Sequence, residues 1–413
     1  MDTSRIRINE ERLWGTLMRS GEIGRFGSGG LRRLALSDAD KEMRDQFVSW
    51  CRDGGCEVAI DRAGNIFARL AGLEDLPPVA VGSHLDTAPA GGRFDGILGV
   101  LSGLEIIRTL QDNRIKPKRP IEVVSWTNEE GTRFPYYISG SLVFTRQKSL
   151  EWLYALTDDD KVTFGDELRR IGYAGDVPIG AHPFDSYFEL HIEQGPILYE
   201  ANVPVGVVIG GAAVRGVYVI FRGQTAHPGG TPMRRRKNAL VGAATFIAAV
   251  NDIGWKFAPI GRTTTTRINV WPNKNGTIPS YAEVMVDMRH QDPDETKRMY
   301  VETMAAVRQC AQETGVDFEV HGEWQYGGSD VVFDQECIAC IRKAAKALNL
   351  PTMDIYSQAG HDAYPVSRVA PTAMIFCPCV DGLSHSEAEN IIPEQTWPSI
   401  NVLLQAVLAR AER

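Results

Sequence analysis

Long apolar runs are missing from this chain. No stretch of 18 apolar residues occurs among its 413 residues, so no transmembrane helix is expected. The N-terminus, Met1-Asp2-Thr3-Ser4-Arg5-Ile6-Arg7, lacks the apolar core of a signal peptide. Excess positive charge is missing too. Forty-four Lys and Arg stand against 52 Asp and Glu, a formal net charge of -8, which argues against nucleic acid or an anionic membrane as a partner. The one basic run, Arg234-Arg235-Arg236-Lys237, reads as the solvated entrance of a helix. Cysteine is sparse: Cys51, Cys56, Cys310, Cys337, Cys340, Cys377 and Cys379 are odd in number and unpatterned. That fits a reducing cytoplasm rather than a disulfide scaffold. Cys337 and Cys340 have CxxC spacing, but no second pair follows. The helical run Ile338, Ile341, Ala344, Ala345, Leu348 passes through them, so they read as helix core.

Histidine is also scarce, eight in all, and its placement is informative. Pro78-Val79-Ala80-Val81 reads as a short buried strand that runs into Gly82-Ser83-His84-Leu85-Asp86-Thr87. The Gly-rich turn Gly91-Gly92-Arg93-Phe94-Asp95-Gly96 follows, and Ile97 to Ile107 reads as a buried helix. The polar residues thus fall between a strand end and a helix start, the edge at which open α/β sheets bind ligands. A second strand, Ile121 to Trp126, ends in Thr127-Asn128-Glu129-Glu130-Gly131. A third apolar stretch, from Phe188, carries Glu189-Leu190-His191-Ile192-Glu193-Gln194-Gly195-Pro196. Gly382-Leu383-Ser384-His385-Ser386-Glu387 supplies one more histidine.

The length suggests two or three domains. A helix is expected from about Asp38 to Gly54, capped by Ser37 or Asp38. Residues 57–61 and 65–69 read as a hairpin. Strands and helices then alternate to about Ile209, which argues for an α/β layer fold. A break is expected at Gly210-Gly211. After it the order becomes β-α-β-β-α-β, the ferredoxin-like split unit, closed by Gly327-Gly328-Ser329. The expected organisation is one domain from residues 1–211 and 329–413, with residues 212–328 inserted and Gly-rich hinges at both crossings.

His84, Asp95, Glu130, His191 and His385 come from five separate segments. Imidazole with carboxylate suits Zn, Mn, Co or Ni and not a soft thiolate site. One carboxylate can bridge two divalent cations. Asp86 lies two residues after His84, on the same side of an extended chain, and is expected to accept the other ring N–H of His84. Glu129, next to Glu130, is left free as a general base, since two neighbouring carboxylates need different environments to hold different roles.

His84-Leu85-Asp86-Thr87, the turn through Asp95, Asn128-Glu129-Glu130-Gly131 and Ser384-His385 resemble the M20-type metallopeptidase superfamily. The segment from Glu189 to Pro196 is similar to its amidase, hydantoinase and carbamoylase branch: N-carbamoyl-L-amino-acid hydrolases, β-ureidopropionases and allantoate amidohydrolases. The resemblance implies a zinc-peptidase-like catalytic domain with an inserted dimerisation domain. It implies His84, Asp95 and His191 around one divalent ion and Asp95, Glu130 and His385 around a second, with Glu129 as base. It further implies substrate groups at Gln194, His227, Asn275, Arg289 and His361. Among these, His227 would stabilise the oxyanion and Arg289 would grip a carboxylate with two prongs. Phe134-Pro135-Tyr136-Tyr137-Ile138-Ser139-Gly140-Ser141 departs from the family wording by its two tyrosines. The expected activity is hydrolysis of the ureido group of an N-carbamoyl-L-amino acid by a cytoplasmic homodimer. An allantoate or ureidoglycolate-type amidohydrolase, or a dipeptidase or N-acyl-amino-acid deacylase, would use the same metals. The complete ligand set argues against a metal-free binding protein.

Overall fold

The computed structural model describes residues 5–328 and 331–413. Residues 1–4 and Ser329, the expected close of the insert, lie outside the described residues. In chain order come α1 (Glu10–Ser20), α2 (Asp38–Asp53), β1 (Glu57–Ile60), β2 (Ile66–Leu70), β3 (Val79–His84), α3 (Ile97–Asp112), β4 (Ile121–Trp126), β5 (Ser186–Ile192) and β6 (Val205–Arg222). They are followed by α4 (Ala239–Lys256), β7 (Arg262–Trp271), β8 (Tyr281–His290), α5 (Pro293–Thr314) and β9 (Asp317–Gly328). The chain ends with α6 (Gln335–Ala347), β10 (Thr352–Ser357), β11 (Thr372–Cys377) and α7 (Pro393–Ala411). Two compact units result. One runs to Ile209 and resumes at Val332; the other is Gly210–Val331.

In the first unit the strand order is β1-β2-β4-β3-β5-β11-β6, with β10 also on β6. The central strands β4, β3, β5 and β11 are parallel neighbours. Every residue of these four is buried, as unbroken apolar runs covered on both faces require. Helix α3 follows β3 and lies against this sheet through glycines. A Cβ at Gly99 would meet the Leu190 carbonyl oxygen of β5 at 2.3 Å, and one at Gly103 would touch Val123 of β4 at 3.0 Å. Helix α2 begins at the expected cap, where Ser37 Oγ accepts the Asp40 N–H at 3.2 Å. The turn joining β1 and β2 is held by Asp61, which accepts the N–H groups of Ala63 and Asn65 at 2.8 and 2.9 Å.

The second unit is an antiparallel sheet of order β9-β6-β8-β7. Helices α4 and α5 bury Phe246, Val250, Met299 and Val307 together with Val217, Val219, Phe221, Val284 and Val286. Its element order is the β-α-β-β-α-β read from the sequence. Asn238 caps α4, so the basic run stands before the helix, with Arg234 and Arg235 exposed in a short 3-10 turn. The break expected at Gly210-Gly211 coincides with the passage between the two units, which falls between Ile209 and Gly210, but the strand itself is not interrupted there. Both glycines lie inside β6, and Gly211 pairs with Gly328. Glycine weakens a strand but does not end one whose ladder bonds continue on either side, and here Val208 pairs with Met374 and Ala213 with His290.

All seven cysteines are buried and free, Cys337 and Cys340 within α6. Among the described residues no helix is long and apolar enough to cross a membrane.

Candidate metal centre

The parallel strands deliver their polar ends to one edge. His84 closes β3 beside Trp126, the last residue of β4. His191 is one residue from the end of β5. Glu129 and Glu130 follow β4, Asp95 lies in the turn entering α3, and His385 follows β11 with a left-handed φ of 52°. These residues form two groups of potential ligands that share Asp95: His84, Asp95 and His191, and Asp95, Glu130 and His385. Asp95 Oδ1 stands 3.0 Å from His191 Nε2 and 3.7 Å from His84 Nε2. Its Oδ2 stands 3.3 Å from His385 Nε2, which is also 3.3 Å from Glu130 Oε2. Glu129 Oε2 lies 3.5 Å from His84 Nε2. The residue after Asp95 must be glycine: Gly96 has a φ of +67°, and a Cβ there would fall 2.3 Å from the His84 ring.

Backbone carbonyls set the two buried imidazoles. His84 Nδ1 donates to the Asp86 carbonyl at 2.9 Å, and His191 Nδ1 to that of Ile192 at 2.8 Å. Both Nε2 atoms then face the cluster, the ring nitrogen left for a metal once it is deprotonated. This corrects the expectation for Asp86. Its carboxylate is 3.8 Å from His84 Nδ1 and instead accepts the N–H groups of Glu129 and Glu130, at 3.3 and 3.2 Å. Two backbone donors on one rigid segment outcompete a ring nitrogen that already has a carbonyl.

Sequence reasoning missed the residues that hold Asp95. Glu389, 2% exposed, accepts the N–H groups of Phe94 and Asp95 at 2.9 and 3.0 Å. Ser384 Oγ donates to Asp95 Oδ2 at 2.8 Å. Glu189 is buried beneath the site and accepts from Ser83 Oγ and the Ala363 N–H at 2.9 and 2.7 Å. Ser384 and Glu189 stand inside motifs read from the sequence, whereas Glu389 stands outside them.

Burial drives His84 down to about 4, so it is neutral. Burial is the largest influence on His191 and lowers it, but the hydrogen bond to Asp95 together with the charges of Asp95 and Glu189 outweighs this and holds it at about 9. The charge of Glu130 lifts His385 to about 10. Burial raises Glu130 to about 8, and burial followed by repulsion from Asp362 and Glu130 pushes Glu129 well above the carboxylate range. Among the described residues, neither Lys nor Arg pairs with Asp95, Glu129 or Glu130. The side-chain amide oxygen Oε1 of Gln194 and Oδ2 of Asp362 are buried without a partner. Crowded acids without a Lys or Arg partner, faced by the Nε2 atoms of three imidazoles, fit divalent metal ions.

The remaining sequence-derived residues are placed as follows. Gln194 donates to Asp95 Oδ2 at 2.9 Å. His361 is buried with its ring centroid 4.5 Å from that of His191 and its Nε2 2.9 Å from Ser357 Oγ. In the second unit, exposed His227 accepts the N–H groups of Gly229 and Gly230 at Nδ1, at 3.2 and 2.9 Å. This puts its proton on Nε2. Arg289 is bridged to Asp287 through Nε at 2.7 Å and one Nη at 3.2 Å. Asn275 is exposed in a turn before Gly276, whose φ is +77°.

Residues 80–409 match the profile of Peptidase family M20/M25/M40. An N-carbamoyl-L-amino-acid amidohydrolase of Rhizobium meliloti is 41% identical over 407 residues, covering 98% of this chain and 97% of its own. A ureidoglycolate hydrolase of Oryza sativa subsp. japonica is 34% identical over 387 residues, covering 91% of this chain and 79% of that one. The crystal structure of an amidase of the hydantoinase/carbamoylase family from Burkholderia vietnamiensis matches with a TM-score of 0.95 at 44% identity, over 100% of both chains.

Proposed function

This chain belongs to peptidase family M20/M25/M40, and from that premise we propose that it is a metal-dependent amidohydrolase. It cleaves the ureido group of an N-carbamoyl-L-amino acid to the amino acid, ammonia and carbon dioxide. The observation that carries this reading is Asp95 shared by two His–carboxylate groups, with Glu129 beside them. The similarity to an N-carbamoyl-L-amino-acid amidohydrolase along nearly the whole chain supports the substrate class.

Zinc or manganese, with cobalt or nickel as substitutes, suits the donor set. When bound, two such ions would polarise the ureido carbonyl and lower the pKa of a coordinated water toward about 7. Glu129 takes a proton from the attacking water and delivers it to the nitrogen of the leaving amine. Asp86 holds Glu129 and Glu130 in register through their backbone N–H groups. His227, protonated at Nε2, offers a donor suited to the tetrahedral oxyanion. Arg289, its guanidinium plane set by Asp287, grips the substrate carboxylate. Gln194, Asn275 and His361 are the further substrate groups of this reading. The carbamate product decomposes to ammonia and carbon dioxide. A cytoplasmic homodimer belongs to the same reading.

The test is ammonia release by metal-loaded protein from N-carbamoyl-L-amino acids, allantoate and ureidoglycolate, with N-acetyl-L-amino acids and dipeptides as controls. Fastest turnover of an N-carbamoyl-L-amino acid is expected. A preference for ureidoglycolate, the substrate named for the rice relative, would move the chain to that activity. Cleavage of the controls alone would overturn both.

A further inference from the structure

Three charged side chains that the reaction above does not use are wholly buried behind the ends of β3 and β4: Arg33, Asp40 and Arg44. Arg33 reaches the loop after β3. Its Nε donates to the Leu85 carbonyl at 3.1 Å, between His84 and Asp86. Its own N–H donates to Thr87 Oγ1 at 2.8 Å, and the Thr87 N–H returns to the Arg33 carbonyl at 2.9 Å. Nη1 is anchored on the carbonyls of Ser20 and Ile23, at 3.0 and 3.1 Å.

Arg44 reaches the loop after β4. Its Nη2 donates to Thr127 Oγ1 at 3.3 Å, two residues before Glu129, and its Nη1 to the Gly64 carbonyl at 2.8 Å. Its Nε is paired with Asp40 Oδ2 at 2.8 Å, one helical turn earlier on α2. That oxygen also accepts the Leu36 N–H at 2.8 Å. Burial lowers Arg33 to about 10, with Asp40 and then Asp86 opposing it, so it stays charged near neutrality.

Apolar packing usually stabilises a core as well as buried charges do. Fold stability is therefore a poor reason for two buried guanidiniums that each send one donor to a loop of the same site. We propose that Arg33 and Arg44 are positioning residues. Arg33 fixes residues 84–87, Arg44 fixes residues 127–129, and Asp40 balances both from α2. The distance between the His84 ring and the Glu129 carboxylate is thereby set from behind. This inference rests on reading His84 as a metal ligand and Glu129 as the base.

Thr127→Val removes only the hydroxyl that Arg44 holds, and Thr127→Ser restores it. Arg44→Lys and Arg33→Lys keep the charge but cannot reach the same set of acceptors. For Thr127→Val and Arg44→Lys, kcat should fall about 10- to 100-fold with KM within about twofold, the scale of a small misplacement of reacting groups. Thr127→Ser should recover most of kcat. Arg33→Lys should weaken zinc binding to the metal-free protein by about 10- to 100-fold, read by competition with a chromophoric chelator. Folded variants with wild-type kcat and zinc affinity would overturn the proposal. So would equal loss in Thr127→Val and Thr127→Ser. If the lysine variants fail to fold, the Thr127 pair decides. If the wild type binds zinc but releases no ammonia from any ureido compound, the proposed function fails. The zinc affinity of Arg33→Lys then still tests the positioning.

Discussion

Adjacent glutamates with separate partners are the residue-scale heart of the proposed chemistry. Glu130 accepts the Ala88 N–H at 2.8 Å and faces His385, whereas Glu129 faces His84. Glu129→Gln should therefore retain metal by elemental analysis and lose about 10²- to 10⁴-fold in kcat, the usual scale of acid–base catalysis. Loss of metal from that variant would exchange the roles of the pair. The titration of the site makes a second expectation. Metal-free protein near pH 7 carries protons on His191, His385 and Glu130, whose values lie at about 9, 10 and 8. Ligands must shed protons to coordinate. Metal uptake at pH 7 should release more than one proton, and affinity should rise with pH up to these values and fall steeply below them. Calorimetry in buffers of different ionisation heat measures the release. Proton-neutral binding would contradict the assignment.

At the scale of elements, α3 is the piece that brings Asp95 to the sheet, and it can do so because Gly99 lets it approach β5. Gly99→Ala would push a methyl group to 2.3 Å from the Leu190 carbonyl, which is backbone and cannot rotate away. A destabilisation of about 1–3 kcal/mol is expected, the usual cost of overpacking, read from denaturant unfolding. An unchanged midpoint would mean that the helix shifts freely. The buried strands and the Ser37 cap were legible in the sequence because apolar runs and capping side chains act over a few neighbours. The role of the Asp86 carboxylate was not, since its partners lie 43 and 44 residues away. Glu389 was hidden more deeply, bonding a backbone 294 residues distant. Gly210-Gly211 marked the passage between the units but not a strand end, because glycine ends a strand only where the ladder does not continue through it.

For the molecule as a whole, element order sufficed to read both folds, since it is a linear property of the chain. The motifs of the candidate ligands were legible because they stand in the segments that follow or close strands of the first unit. The setting of Arg289 was not, because Asp287 lies on the same strand and its pairing depends on side-chain direction. The two units have separate cores, and all the clustered candidate ligands belong to the first. Metal removal should therefore raise deuterium uptake in segments 84–96, 127–131, 191–195 and 384–389. It should leave the α4 and α5 segments near their holo values, since local opening follows local contacts. Hydrogen-exchange mass spectrometry makes the comparison. Equal loosening of α4 and α5 would show that the effect of the metal is global.

The two groups that share Asp95 differ in their access to water. The side chains of His84 and His191 are 2% and 1% exposed, whereas that of His385 is 53% exposed. With two ions bound, residence times would differ accordingly: the inner ion leaves only through local opening, while the outer one exchanges directly with solvent. Brief dialysis against a weak chelator should strip the outer position first and leave a half-loaded protein. In dilute solution, catalytic output would then track the supply of a single labile ion.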